Sequence, residues 1–454
     1  MLSRVAFVLA VLGGCARPSG VDTARDDFIV DTLALDNREW ALREPDLVRA
    51  KLAKMQREPF LWLRGTPAVF WREAMVPGAR TATTFGDDAS SRVLLVGDPH
   101  PENIGTFLAP DGTFTIEWND FDGAGYGPFE LDVLRLATGM IVATGLDGDP
   151  ARALARAIAA AYATRIADLA AGRAPTPLAG GTAYLDKLIA KATANGDAGK
   201  AITEAAPIGA DGTRAIAFGD IDPVAPDGVI EFRLQPVGAE ADVWNRRAID
   251  RRSGGTARVK LECRRIGSGV SSYAALRYYV VLEGATDAND DDAIVELKEE
   301  RDGLVVAGVP RYAAAEWQSP GVRVVDVQRR LQSRPDADAR LGEADVGALS
   351  IRIHDHEAYQ RGVNAVDLAP LDGAEQLAIA DRFGALLANA HGAAATADHV
   401  PGWSVLAPVI GDRAGAFADE LAGAALADAD RLRADFDRLA SRDLASLIIP
   451  RGTE

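Results

Sequence analysis

Two short apolar runs, residues 93–96 and 114–118, each stop at a polar motif: the first at GDPHPENIG, residues 97–105, and the second at NDFDG, residues 119–123. Apolar runs this short, bounded by Gly, Pro, Asp and Asn, read as buried strands that end in loops. The chain must therefore hold an Asp, a His, an Asn and two further Asp side chains at the ends of strands. Magnesium-dependent phosphoryl transfer uses such groups, because the ion takes a few oxygen ligands and completes its shell with substrate phosphates. The spacing lets Asp98 face a substrate hydroxyl while Asn103 turns toward a metal, with Asp120 supplying a carboxylate to the same ion. Each of these also has a plain reading as a turn residue, and for Asp122 the turn is the better one. His100 also reads as a satisfied structural histidine.

At 454 residues the chain exceeds one ordinary core, so two lobes are expected. A formal net charge of -17 repels polyphosphate backbones and argues against nucleic acid as a partner. The start, MLSRVAFVLAVLGGC, has one Arg, a short apolar run and small residues before Cys15. It resembles a bacterial lipoprotein signal, which implies removal of residues 1–14, lipidation of Cys15 and a cell-envelope location on the periplasmic side of a membrane. Without processing the protein would stay in the cytoplasm. Cys263 is the other cysteine, so a lipidated Cys15 leaves no intrachain disulfide and stability rests on packing.

Apolar positions spaced at three and four predict a helix over 32–57, and an aromatic buried run follows over 59–71. A helix opens at Pro128, and Ala-rich helices follow over 151–171 and 185–194. Residues 205–255 lose this period and read as an irregular, β-rich connection. Strands are expected over 258–266, 276–283, 293–298 and 349–353, with a helix over 322–332 and amphipathic helices over 374–395 and 416–447. The chain is thus α+β. It divides into a signal peptide (1–14), a linker (15–26), a helical lobe with the catalytic and metal-binding loops (27–200), an irregular connection (201–257), a small β-rich lobe (258–360) and C-terminal helices that complete the helical lobe (361–454).

A second signal lies in that β-rich part. RRIGSGVSSY, residues 264–273, places Gly267 and Gly269 between two strands, where backbone N–H groups can approach phosphates closely. A GxG between strands is also a common turn, and Ser272 stands where the fuller motif has a third glycine. Lys298 ends a β-branched strand in the manner of a phosphate-pairing lysine, although a lone strand lysine is usually a solvated edge charge. Its acidic partner is expected on the neighbouring helix, at Asp326 first and Glu316 second.

GDPHPENIG, NDFDG and GPFELDVLRLA, with PFLWLRG, YYVVLEG, ELKEE, RVVDVQRRLQ and LLANAHGAA, resemble the bacterial family catalogued as domain of unknown function 2252. That family resembles the aminoglycoside phosphotransferase and choline kinase branch of the protein kinase-like fold, and the resemblance covers residues 55–395. It implies a two-lobe kinase-like fold, with Asp98 as the catalytic aspartate, Asn103 and Asp120 as the Mg2+ pair and Lys298 as the lysine for ATP. It also implies that Asp132 is a buried aspartate bracing the catalytic loop. His391 belongs to the pattern and reads as a packed helix histidine. The glycine turn and lysine follow the catalytic loop instead of preceding it, which implies a circular permutation. RIHDHE, beginning at Arg352, lacks the lysine expected after that strand. The expected function is transfer of a phosphoryl group from ATP to a small-molecule or protein hydroxyl; the alternative is a catalytically silent kinase-like module anchored to an envelope membrane. A dinuclear metallophosphatase, suggested by GDPH, would need more ligands than the five scattered histidines His100, His354, His356, His391 and His399 provide.

Overall fold

The helix Phe129–Thr144 is buried at every position. A helix enclosed on all sides is the axis of a core, and here the helices Gly148–Ala170, Gly373–Ala393 and Ala414–Leu439 pack around it. Gly384 sets the closest approach, since a Cβ there would lie 2.2 Å from the carbonyl oxygen of Ile158. The computed structural model describes residues 23–74, 83–196, 199–218, 225, 227–302 and 316–450, so the expected signal peptide and Cys15 lie outside the described residues. Among the described residues no helix is long and apolar enough to cross a membrane.

Four short strands sit against this helical body: β1 (Val93–Leu95), β2 (Ile104–Leu108), β3 (Phe114–Trp118) and β4 (Gly125–Gly127). β1 pairs with β4 and β2 with β3, both antiparallel. The two motifs flagged in the sequence are the connections between them. A separate antiparallel sheet contains β5 (Arg233–Gln235), β6 (Val259–Ile266), β7 (Arg277–Leu282), β8 (Ala293–Glu300), β9 (Gly342–Val346) and β10 (Leu349–Asp355), in the order β5-β6-β7-β8-β10-β9. The helix Pro320–Leu331 lies between β8 and β9 in the chain. The protein is thus a mixed α+β structure, as the sequence pattern implies.

Strand alternation divides the two faces of the sheet. Tyr278, Val280, Val295, Leu297, Ile351 and Ile353 join one apolar cluster with Ala248 and Ile249 of the helix Ala239–Ser253. On β8 the intervening residues Glu296, Lys298 and Glu300 are charged yet also buried. Residues with period two point to opposite faces, so the charged face of the sheet is turned inward toward the strand-end loops.

Three expectations require correction. Residues 205–255 are not a β-rich connection: among the described residues they hold the helix Ala239–Ser253 and only the short strand β5. The helix carries Ala241, Trp244, Ala248 and Ile249 at helical spacing, but small side chains and many charges dilute the signal, and packing beneath the sheet supplies the stability. The helix expected over 32–57 is two helices, Thr23–Arg43 and Pro45–Met55, because Pro45 has no N–H to continue the first and instead opens the second. The final helix expected over 416–447 ends at Leu439 and resumes as Leu444–Ile448. β5 and residues before it pack on the same sheet.

Glu117 on β3 is 1% exposed and accepts a hydrogen bond from the Ser333 hydroxyl. Burial raises its pKa to about 7, against the Ser333 bond that lowers it. Between pH 4.5 and about 7 the unfolded chain therefore ionises here while the folded chain keeps the proton, so this group costs stability as pH rises and the cost levels off above about 7. Glu117→Gln is expected to gain on the native chain across that window, by about 3 kcal/mol at pH 8, measured by urea denaturation at several pH values.

Candidate functional site

The GDPHPEN loop leaves β1 through Val96 and Gly97. Gly97 has φ +88, and an added Cβ would lie 1.9 Å from the carbonyl oxygen of Gly123. Only glycine permits that backbone conformation and that approach, which sets the first motif against the second. The carboxylate of Asp132, fully buried on the Phe129–Thr144 helix, accepts hydrogen bonds from the backbone N–H of Val96 at 2.8 Å and of Gly97 at 3.2 Å. Trp71 Nε1 donates to the Gly97 carbonyl at 2.6 Å. His391 Nε2 lies 3.1 Å from Asp132 Oδ2, and its Nδ1 lies 3.0 Å from the Tyr162 hydroxyl. His391 is thus packed inside its helix and also orients the brace.

Asp98 Oδ1 accepts from Arg135 Nε at 2.8 Å. Arg135 is itself fixed by donating to the Leu63 carbonyl at 2.6 Å and by stacking over Phe70 at 5.2 Å. Burial raises the pKa of Asp98 and Arg135 opposes the rise. Asn103 Nδ2 donates to the Asp98 carbonyl at 2.9 Å, and the Asn119 N–H donates to the Asn103 carbonyl at 3.0 Å, so the two motif loops are stitched together. His100 packs edge-on against Phe60, and burial, with Arg64 and Arg135 nearby, holds its pKa well below the usual histidine range. It is a neutral packing residue.

Lys298 is 1% exposed at the end of β8, so the reading of a solvated edge charge does not hold. Its Nζ donates to Asp122 Oδ1 and lies 3.7 Å from Asp120 Oδ1 and 3.8 Å from Glu300 Oε1. The Asp122 N–H donates to Asp120 Oδ1 at 3.2 Å. Asp122 is therefore both the expected turn residue and the main partner of Lys298. Burial would raise the Asp122 pKa, but Lys298, with Arg352 behind it, holds it below the usual carboxylate range. Burial and the charge of Asp122 push Glu300 up to about 8.

The expected partner of Lys298 on the neighbouring helix is corrected. Asp326 accepts from Trp317 Nε1 at 2.9 Å and pairs with Arg330 at 3.1 Å, while Glu316 accepts from the Tyr126 hydroxyl at 2.6 Å. The acids around Lys298 come from its own strand and from the 120–122 turn. What the Pro320–Leu331 helix contributes is Arg323, 3% exposed, which donates to the carbonyls of Ala124 at 2.7 Å, Asp122 at 3.1 Å and Arg301 at 2.7 Å. Sequence inspection missed Arg323 because a basic residue on a helix reads as solvated. Its one signal is its place among the valines of the buried helix face.

Gly267 and Gly269 both have positive φ, +81 and +76. They do different work. A Cβ on Gly267 would lie 2.4 Å from the Glu231 carbonyl carbon, so this glycine is required for packing. Gly269 lines a cleft of about 310 Å³ together with Asn103, Asp120, Lys298, Arg277 and Arg352. Of the singled-out residues, Asn103, Asp120, Gly269 and Lys298 meet there; Asp98, Gly267 and Asp326 do not line it. Among the described residues no group of three or more His, Cys, Asp and Glu side chains forms a metal cage. The Asp120 carboxylate and the Asn103 amide fit a cation that takes its remaining oxygens from water and phosphate, as Mg2+ does.

These features define an α+β protein whose strand-end acid loop and buried lysine open into one cleft. The chain belongs to the family described as "Uncharacterized protein conserved in bacteria (DUF2252)", which matches residues 43–211 and 246–442. No curated protein and no solved structure matches it.

Asp132→Ala would leave two backbone N–H groups and His391 without their buried acceptor. Each orphaned donor costs about 1–3 kcal/mol, so a loss of about 3 kcal/mol or more is expected in urea denaturation. A loss under 1 kcal/mol would show that the brace is dispensable.

Proposed function

We propose that this protein is a kinase-like phosphotransferase that moves a phosphoryl group from ATP to a hydroxyl acceptor. The observation that carries the reading is the 3.7 Å approach of Lys298, from the sheet, to Asp120, from the strand-end loop, in one cleft with Asn103. The order of the sheet supports it as well. In the six-stranded order β5-β6-β7-β8-β10-β9 the lysine stands on an inner strand and a helix comes after it in the chain, as the phosphate-pairing lysine and the helix after it do in a kinase. Here that unit follows the catalytic loop in the chain, the order a circular permutation produces.

In this reading Asp98 receives or orients the acceptor hydroxyl, and Lys298 neutralises phosphate charge. Asn103 and Asp120 would hold a magnesium ion, which when bound draws charge from the phosphates. The Asp98–Arg135 pair favours a second reading, a silent binding module, because a carboxylate held by a guanidinium is a weak base. A thermal-shift titration with magnesium and ATP comes first: a ligand at a hundred times its Kd adds about 2.7 kcal/mol to folded-state stability, and no rise at millimolar nucleotide removes the nucleotide site. Where binding is found, Asp98→Ala is expected to lower turnover by about 10²–10⁴-fold with ATP affinity unchanged. Binding with no phosphorylated product from the native chain identifies the silent module.

We also propose, from the N-terminal pattern, that the protein is anchored through Cys15 on the periplasmic side of a bacterial membrane, the alternative being a cytoplasmic protein with the signal unprocessed. Cys15→Ser is expected to abolish incorporation of radiolabelled palmitate and to move the protein from the membrane to the soluble fraction. Equal labelling of both forms would overturn the anchor.

A further inference from the structure

We propose that the cleft recognises a triphosphate and not the base attached to it, with Arg277 and Arg352 as phosphate-binding residues on either side of Lys298. The proposal rests on the nucleotide reading above and specifies what that site reads. Its basis is the register of the sheet. Arg277 on β7 stands directly opposite Lys298 on β8, and Lys298 directly opposite Arg352 on β10. Three cations thus occupy one cross-strand row, about 10 Å wide at the usual strand spacing. Like charges placed opposite each other on a sheet destabilise it, so the row calls for counter-charge.

The protein meets Lys298 with Asp120 and Asp122 and leaves the two arginines to Glu296 and Glu300 of β8. Glu296 is shared by Arg265 and Arg277, the latter at 2.9 Å, and those guanidinium groups hold its pKa well below the usual range against the effect of burial. Arg352 has Glu300 at 3.4 Å, and burial together with the charge of Asp122 raises the pKa of that glutamate to about 8. The Nε of Arg277 donates no hydrogen bond and that of Arg352 only faces Glu300 Oε1 at 3.4 Å, although the two side chains are 12% and 6% exposed. Buried donors are almost always satisfied. These two line the cleft, where phosphate oxygens can meet them.

Both departures from the expected kinase-like pattern fall on this row. Ser272, in place of the third glycine, accepts from Arg277 Nη2 at 2.7 Å and holds that guanidinium beside Gly269. Arg352 opens the RIHDHE segment that lacks the expected lysine, and it places a cation beside Lys298 on the next strand. The cleft has little to offer a base. Among its described lining residues Phe107 is the one large apolar side chain, the others being charged, polar or glycine. Tyr279 and His356 are stacked on each other with ring centroids 4.4 Å apart, so neither presents a free face between them. A flat heterocycle is normally held by apolar walls.

Isothermal titration of the full chain in magnesium buffer tests this with ATP, CTP, inorganic tripolyphosphate and adenosine. Dissociation constants of the first three are expected within about tenfold of each other, with no heat from adenosine. Arg352→Gln is expected to weaken all three by about tenfold or more, as loss of a charge-assisted bond does, and Arg277→Gln, at the less buried position, gives the same readout if the first variant does not fold. ATP binding about a hundredfold tighter than tripolyphosphate, or measurable adenosine binding, would show that the base is read; that overturns this inference and leaves the proposed function standing. Tight triphosphate binding that both folded variants retain unchanged overturns the assignment of the arginines. Absence of any triphosphate binding to the folded native chain removes the proposed function and this inference together.

Discussion

The Asp132 carboxylate sits at the meeting point of the helical core and the loop chemistry. It receives the N–H groups of Val96 and Gly97 and faces His391, which in turn faces Tyr162. All three side chains are fully buried. In such surroundings a carboxylate is tolerable only with its oxygens bonded, and the same low dielectric makes those bonds strong. The GDPHPEN loop is therefore held to the most enclosed helix of the protein. Gly97 meets Gly123 because that loop is placed, and the Asp120–Asp122 turn is placed in its turn against Lys298. Arg323 fixes the far side of that turn through carbonyls alone, leaving the acid side chains to face the lysine.

The sheet answers with an inward charged face, and the balance there is close. Burying Lys298, Arg352, Glu296 and Glu300 costs hydration that only mutual pairing can offset. The pairing is uneven: Glu296 is strongly held in its charged form while Glu300 is pushed toward its neutral form. One strand thus carries two glutamates with opposite electrostatic environments, two residues either side of Lys298. The difference comes from the neighbours, since Glu296 lies near Arg265 and Arg277 of the sheet, and Glu300 near Asp122 of the strand-end turn.

Much of this is legible in the sequence. Alternating and short apolar runs located β3 and β6 to β8 closely, because a half-buried strand repeats every two residues whatever it packs against. The failures have equally specific causes. The Ala239–Ser253 helix presents a thin stripe of small residues, and its stability comes from the sheet above it. The break at Pro45 was written in the residue itself and overridden by the longer periodicity. Asp326 was expected to meet Lys298 because it lies on the adjoining helix, yet it faces Trp317 and Arg330 while the buried stripe of that helix carries Arg323 and Gln328.

What the sequence by itself determined is local: where strands stop, which backbone positions demand glycine, and which residues near those stops can bind oxygen or phosphate. Such features depend on neighbours within a few positions, so they survive without knowledge of the fold. Only the tertiary structure decided that Asp122, and not Asp326, takes the proton donor of Lys298, and that three cations align across β7, β8 and β10. Those facts depend on strand register and on the crossing of distant loops. A shift of one residue in register would send Lys298 to the opposite face of its strand, and no local pattern in the chain records which register is formed.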